Sequence, residues 1–406
     1  MKNVDDAMQA RRGAVPRGLL RTGPVLFSYG FRPFFLGAAV WACVAMALWI
    51  VALAADIAVG GDYGALAWHG HEMLFGFASA VLAGFLLTAV PNWTGRLPVS
   101  GPPLMALFTL WCLGRAAMLA PGLIGTTAAA VMDALFLPTL LFICVREVVA
   151  GRKWADLKVV AGLGVLAAAN ICFHYETLMR GAPDYSQRFA VAAYVGLVTV
   201  IGGRILPSFT RNWLAKRGRT DFPAPYARFD VAAIVLSVAA LALWAVVPES
   251  PVTALACAVA AVLQLGRLHR WRGWTTLAEP LVAILHVAYV FVPLGFAALA
   301  AAAIGLFDRA SAMHVLTIGT VATMMLAVMT RATRGHTGRE LTSSLATNLA
   351  YIAIVLCAVI RPLTAIAPDH AHEIYAVAGL LWLAAFGLFL TEHAPMLLRK
   401  RRQPIG

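Results

Sequence analysis

Residues 33–55 read PFFLGAAVWACVAMALWIVALAA, without one charged side chain. A helix rising 1.5 Å per residue over such a run crosses the roughly 30 Å hydrocarbon layer of a bilayer. Runs of the same kind fall near 68–90, 102–120, 124–145, 158–178 and 187–206. A second set follows near 229–248, 251–267, 277–302, 310–330, 342–363 and 370–393. The spacing predicts an all-α, polytopic integral membrane protein of about twelve transmembrane helices. The pairs 102–120/124–145 and 229–248/251–267 are joined by only a few residues, so the count leans most on those connections.

Composition agrees. The 406 residues are 61% apolar and 13% charged, and the mean hydropathy is +0.79. A soluble domain needs about 25% charged residues to face water. The 34 Gly and 21 Pro suit membrane helices better than a soluble helical core. The formal charge of +13 lies in short loops and forms no continuous basic face, which argues against a nucleic-acid partner. Cys43, Cys112, Cys144, Cys172, Cys257 and Cys357 stand singly in apolar windows without metal-ligand spacing. No apolar stretch followed by a cleavage site opens the chain, so a removable signal peptide is not expected.

The basic residues test the count independently. With the N-terminus inside, 25 of the 32 Lys and Arg fall in inside segments, and only Arg180, Arg188, Arg309 and Arg361 fall outside. A missed span would invert that bias downstream, and it does not invert. The expectation is a multi-pass protein of the bacterial inner membrane with both termini cytoplasmic. Residues 1–31 form a basic leader, 32–396 a membrane domain and 397–406 a basic tail. The loop 207–228, with Pro223 and Pro225, divides the membrane domain into six-helix halves, 32–206 and 229–396.

That topology orders the histidines. His69, His71, His314, His370 and His372 start outside-to-inside helices, and His174 ends an inside-to-outside one. Six of the ten histidines thus share the outer face. His286 lies deeper, and His269, His336 and His393 lie near the cytoplasmic boundary. Imidazole ligates haem iron and copper, and an ionisable group within a span is costly unless paired or coordinated. Glu72 and Glu373 are placed to orient neighbouring rings. The plainer reading is hydrogen bonding at the headgroup level, which His393 beside the basic tail fits best. His69 and His71 point about 200° apart on a regular helix and cannot grip one metal without an irregular turn. They serve different centres, or one supports the other's. His370 and His372 obey the same constraint.

Met313, Met324, Met325 and Met329 offer soft thioethers in the segment 313–339, although methionine also fills uneven helix packing. The turn 335–339, GHTGR, lacks the lysine of a phosphate-binding loop. Arg32, Arg115 and Arg204 lie within or at the ends of spans. Each either snorkels or pairs with an anion, haem propionates included. For Arg115 the nearest acid is Asp133 on the neighbouring helix, which makes it structural.

The chain resembles the NnrS family, bacterial membrane proteins of haem-and-copper type associated with the nitric oxide response. The resemblance runs from FRPFF at 31–35 to the last helix. It is strongest at WHGHEMLFGF (68–77), GGRILPSFTRNWL (202–214), HVLTIG (314–319), MTRA (329–332) and GHTGR (335–339). It implies twelve spans, haem b and copper, and a role in tolerance of nitric oxide. Turnover of nitric oxide, binding without turnover, and protection of other metal centres are all compatible with it.

The ligands are assigned from the topology. His69, His71, His174, His314 and His372 are the cofactor-binding candidates, with Arg32 and Arg204 as anion partners, and His370 joins the five histidines as a metal candidate. At least two are expected on haem iron and another on copper. The expected function is a haem/copper membrane protein that interacts with nitric oxide and protects against nitrosative stress. Redox turnover requires an electron donor that the sequence does not name. The alternative is a transporter of a metal, haem or small anion. A third reading is a sensor or assembly partner that binds the cofactor without catalysis.

Overall fold

Long apolar runs leave the backbone one way to satisfy its N–H and C=O groups away from water, which is intrahelical pairing. A computed structural model of the chain describes residues 23–55, 57 and 59–402, and all regular structure among them is helical. Among the described residues 12 helices are long and apolar enough to cross a membrane. The chain is a multi-pass membrane protein. The first six spans are α1 (Phe31–Ala55), α2 (Ala65–Thr94), α3 (Pro102–Leu119), α4 (Thr126–Ala150), α5 (Trp154–Arg180) and α6 (Tyr185–Ala215). The others are α7 (Arg228–Val246), α8 (Pro251–Arg270), α9 (Pro280–Ala303), α10 (Arg309–His336), α11 (Leu345–Ala365) and α12 (Pro368–Leu398). Most of the leader (1–22) and the end of the tail (403–406) lie outside the described residues.

Each expected apolar window coincides with one span, but several helices run further. The connection expected at 207–228 is shorter, because α6 continues through Pro207 to Ala215. Proline removes one N–H donor, a loss that a membrane helix packed on its neighbours tolerates.

The bundle is arranged around α2. Its most apolar window is 89% buried, against 28% for α8 at the periphery. The helix packs on α1 and α4, while α6, α9 and α10 pack on one another and α12 closes against α1. Lipid tails are as apolar as leucine, so association rests on close packing and interhelical hydrogen bonds. Gly84 of α2 shows the first. A Cβ there would lie 2.7 Å from the Phe35 ring of α1. Arg267 of α8 shows the second. Fully buried, it donates to Thr199 O at 3.1 Å, Gln264 Oε1 at 3.1 Å and Tyr289 Oη at 2.7 Å, joining α6, α8 and α9.

Two spans depart from α geometry, and both do so directly after a histidine. Residues Glu72–Ala78 of α2 and Val315–Ala322 of α10 are π-helical. A π turn holds an extra residue, which redirects side chains and frees carbonyls, and such turns are frequent at functional sites. Trp111 of α3 donates to Gly76 O at 3.0 Å. A third irregularity breaks α4 at Leu135, between Thr126–Ala134 and Phe136–Ala150. Pro138 has no N–H for the Ala134 carbonyl, the usual cause of such a break. Asp133 sits beside it.

Candidate metal centre

The π stretch and the α4 break converge on one cluster. His71 (α2), Asp133 (α4) and His174 (α5) are all buried. One ligand atom from each lies within 4.8 Å of the others, and no second such group occurs among the described residues. Asp133 Oδ2 stands 3.1 Å from His71 Nε2 and 2.9 Å from His174 Nε2. Asn170 lies one turn before His174 on α5. Its Nδ2 donates to the same oxygen at 3.0 Å, and its Oδ1 faces His71 Nε2 at 3.1 Å.

The far nitrogens are held as well. His71 Nδ1 lies 2.8 Å from Glu72 Oε1, and His174 Nδ1 is hydrogen-bonded to the Tyr63 hydroxyl. Tyr63 comes from the α1–α2 connection, which turns through Gly60, Gly61 and Gly64, all at positive φ. Glu72 also accepts from Trp41 Nε1 at 2.8 Å. Arg115 of α3 pairs with Glu72 and Asp133 together.

Charge and protons decide what the cluster can do. Two carboxylates meet one guanidinium, so by formal count one acid lacks a fixed cation of its own. A proton on His71 Nδ1, facing Glu72, leaves the Nε2 lone pair pointing at Asp133 Oδ2 and Asn170 Oδ1, which are themselves acceptors. A second proton on the ring or a metal cation resolves both the charge and the clash. The donor set of two imidazoles and a carboxylate fits a first-row transition ion such as copper. Second-nitrogen bonds to Glu72 and Tyr63 are the outer partners that metal-ligating histidines carry.

His69 diverges from His71, as the 200° between them requires. Its ring stacks on Trp49 of α1 at 4.4 Å and 16°, and its Nδ1 is buried without a hydrogen-bond partner. The start of α10, which carries His314, packs on the end of α11, which carries Arg361. His314 Nδ1 lies 2.6 Å from Ala310 O, which leaves Nε2 for another partner. His69 Nδ1 and His314 Nε2 are thus ring nitrogens that make no hydrogen bond in the structure.

The remaining candidates lie elsewhere. His370 and His372 are exposed at the start of α12, so sharing a depth with His71 does not bring them to it. Arg32 is buried at the opposite end of the bundle, and its Nη1 donates to Leu397 O at 2.6 Å and Arg399 O at 2.9 Å. Arg204 pairs with Asp156 at 2.8 Å. Sequence reasoning took Asp133 only as a partner for Arg115, and missed Asn170 and Tyr63. Asn170 had a signal, being a polar residue in an apolar window four positions before His174 and so on its face.

Fold and site together define a multi-pass helical membrane protein with a buried imidazole–carboxylate centre. The chain belongs to the NnrS family, whose model, described as NnrS protein, matches residues 25–401. That membership makes it a protein of the nitric oxide response in general. No curated protein matches it in sequence.

Proposed function

We propose that the protein is a haem- and copper-binding membrane protein that captures nitric oxide and limits nitrosative damage. The observation that carries this reading is the convergence of His71 Nε2, His174 Nε2 and Asp133 Oδ2 on one buried point, beside two carboxylates that share one guanidinium. These three residues would hold copper. His69 and His314 would hold haem b iron, with Arg361, on the end of α11 that packs against the start of α10, as the cation for the propionates. Bound there, iron and copper supply coordination of nitric oxide and one-electron chemistry.

The chain's own residues do the rest. Glu72 and Tyr63 fix the ring orientation of His71 and His174 and keep both Nε2 atoms turned inward. Arg115 pairs with Glu72 and Asp133 together and holds both carboxylates in place beside the two rings. Trp41, Phe75 and Phe173 exclude water from the cluster, which strengthens every charge interaction inside it. The basic ends of the spans lie in the cytoplasm of a bacterial inner membrane, in keeping with the bias of Lys and Arg toward one set of loops. That puts both histidine centres near the outer face.

Metal analysis and pyridine haemochrome spectra of protein purified from haem- and copper-replete cells test this reading. His71→Ala, His174→Ala and Asp133→Asn should each lose copper and keep the haem spectrum. His69→Ala and His314→Ala should alter haem retention or spin state. Inserted wild-type protein lacking both cofactors would overturn the proposal, and flux of a solute through proteoliposomes without a bound chromophore would put a transporter in its place.

A further inference from the structure

Halfway along the bundle a cavity of about 70 Å³ lies between α2, α6 and α10. Leu82, Phe85, Val198, Ile201, Met324 and Met325 are among its walls. The one polar side chain in the lining is Tyr194, and its hydroxyl is engaged with Leu74 O at 2.7 Å. Phe85, Val198 and Met325 are only half-buried, so the cavity opens on the side of the bundle. At that depth the opening faces acyl chains.

Volume and lining select the occupant. Small-molecule sites run to about 300–1,000 Å³, which excludes a cofactor, a quinone ring or a drug-sized solute. An apolar cavity of about 150 Å³ stays dry and takes up benzene or xenon. Half that volume admits a diatomic gas or a xenon atom and no aromatic ring. Ions and water find no partner there.

Position gives the site its meaning. Val81 follows His71 by ten residues and Met324 follows His314 by ten, so the cavity lies the same number of residues along each helix from a histidine. Both intervening stretches contain the π turns, and Tyr194 is bonded to the first of them through Leu74.

We propose that this cavity is an entry and holding site for a small apolar gas, reached from the lipid between α2, α6 and α10. It rests on the proposed function only in naming nitric oxide as that gas. An uncharged diatomic concentrates in the acyl layer and needs no polar channel, so a dry pocket on the lipid side captures it where it is most abundant.

The test uses the full chain in nanodiscs with xenon as probe, followed by 129Xe exchange NMR, and compares wild type with Val198→Phe. Leu236→Phe, on the lipid-facing side of α7, is the control. Expected are saturable xenon binding in wild type and in the control, its loss in Val198→Phe, and several-fold slower nitric oxide association in that variant at unchanged metal content. If Val198→Phe does not insert, Ile201→Phe is read in its place. Xenon binding that is absent or insensitive to these substitutions overturns the proposal, as does an acyl chain filling the cavity or an unchanged association rate. Failure of the cofactor reading appears separately, as missing haem and copper, and leaves the xenon result readable.

Discussion

A Cβ on Gly76 would stand 2.6 Å from Arg115 Nη1, so the guanidinium of α3 rests directly on the backbone of α2. The same point is 2.6 Å from Trp41 Nε1 and 2.7 Å from Glu72 Oε2. Gly76→Ala must therefore displace a buried charge. Overpacking alone costs about 1–3 kcal/mol, and separating Arg115 from its carboxylates brings the loss toward about 3–5 kcal/mol. Thermal unfolding in detergent should show a large fall for Gly76→Ala and little change for Gly387→Ala, where a Cβ meets nothing.

The charges around Arg115 are coupled. Arg115→Met leaves Glu72 and Asp133 buried without their cation and is expected to destabilise by about 3–5 kcal/mol. Glu72→Gln added to it removes one stranded carboxylate, so the double variant should be more stable than the sum of the singles. Strict additivity in that cycle would contradict a shared network.

Tyr63 acts on the centre through His174. Under the proposed function, Tyr63→Phe should leave copper stoichiometry intact at saturation and weaken affinity about 10–100-fold. Competition with a chelator measures this. His370→Ala and His372→Ala should leave that affinity unchanged, since both rings are exposed away from the cluster.

Asp308 caps the helix that carries His314, accepting from Ser311 N at 2.7 Å. Partial burial pushes its carboxyl up, but the hydrogen bonds from Ser311 and Ala310, and then Arg361, outweigh that and hold it below the usual carboxylate range. A depressed folded value means the contribution is full above the unfolded pKa and fades as pH falls through the folded one. Asp308→Ala should cost about 0.5–2 kcal/mol near neutral pH. The gap from wild type should narrow in acid, below the ordinary carboxylate pKa of about 3.9. A gap that is constant with pH would assign the effect to packing instead.

Cysteine labelling reads the orientation. Residues 216–227 should react from the cytoplasm and 181–184 from the other side. Periplasmic labelling of 216–227 would reverse the whole arrangement.

The spans were legible because a bilayer imposes one length on every apolar run, and the pairing of Arg115 with Asp133 was legible because each is the odd charge in adjacent helices. The charge bias also assigns His69, His71, His174, His314, His370 and His372 a common depth at span ends on one face. What depth does not carry is azimuth. Whether a ring faces the bundle or its surroundings depends on how neighbouring helices are rotated. Here the π stretch after His71 and the α4 break at Leu135 set that rotation. Neither has a sequence signature as strong as an apolar window, so the role of Asp133 between two imidazoles appears only in three dimensions. Tyr63 was further hidden, lying in a connection outside every span.

Arg32 has a consequence for biogenesis. Its carbonyl partner Leu397 is 365 positions later in the chain, and at 5–20 residues per second the ribosome takes roughly 20–70 s to reach it. For that interval the first helix waits in the membrane with a guanidinium that has none of its final acceptors. Until the last helix arrives, the guanidinium has only interfacial water and lipid phosphates within its reach. A chain truncated before α12 should then be a substrate for membrane quality control, however complete its histidine centres.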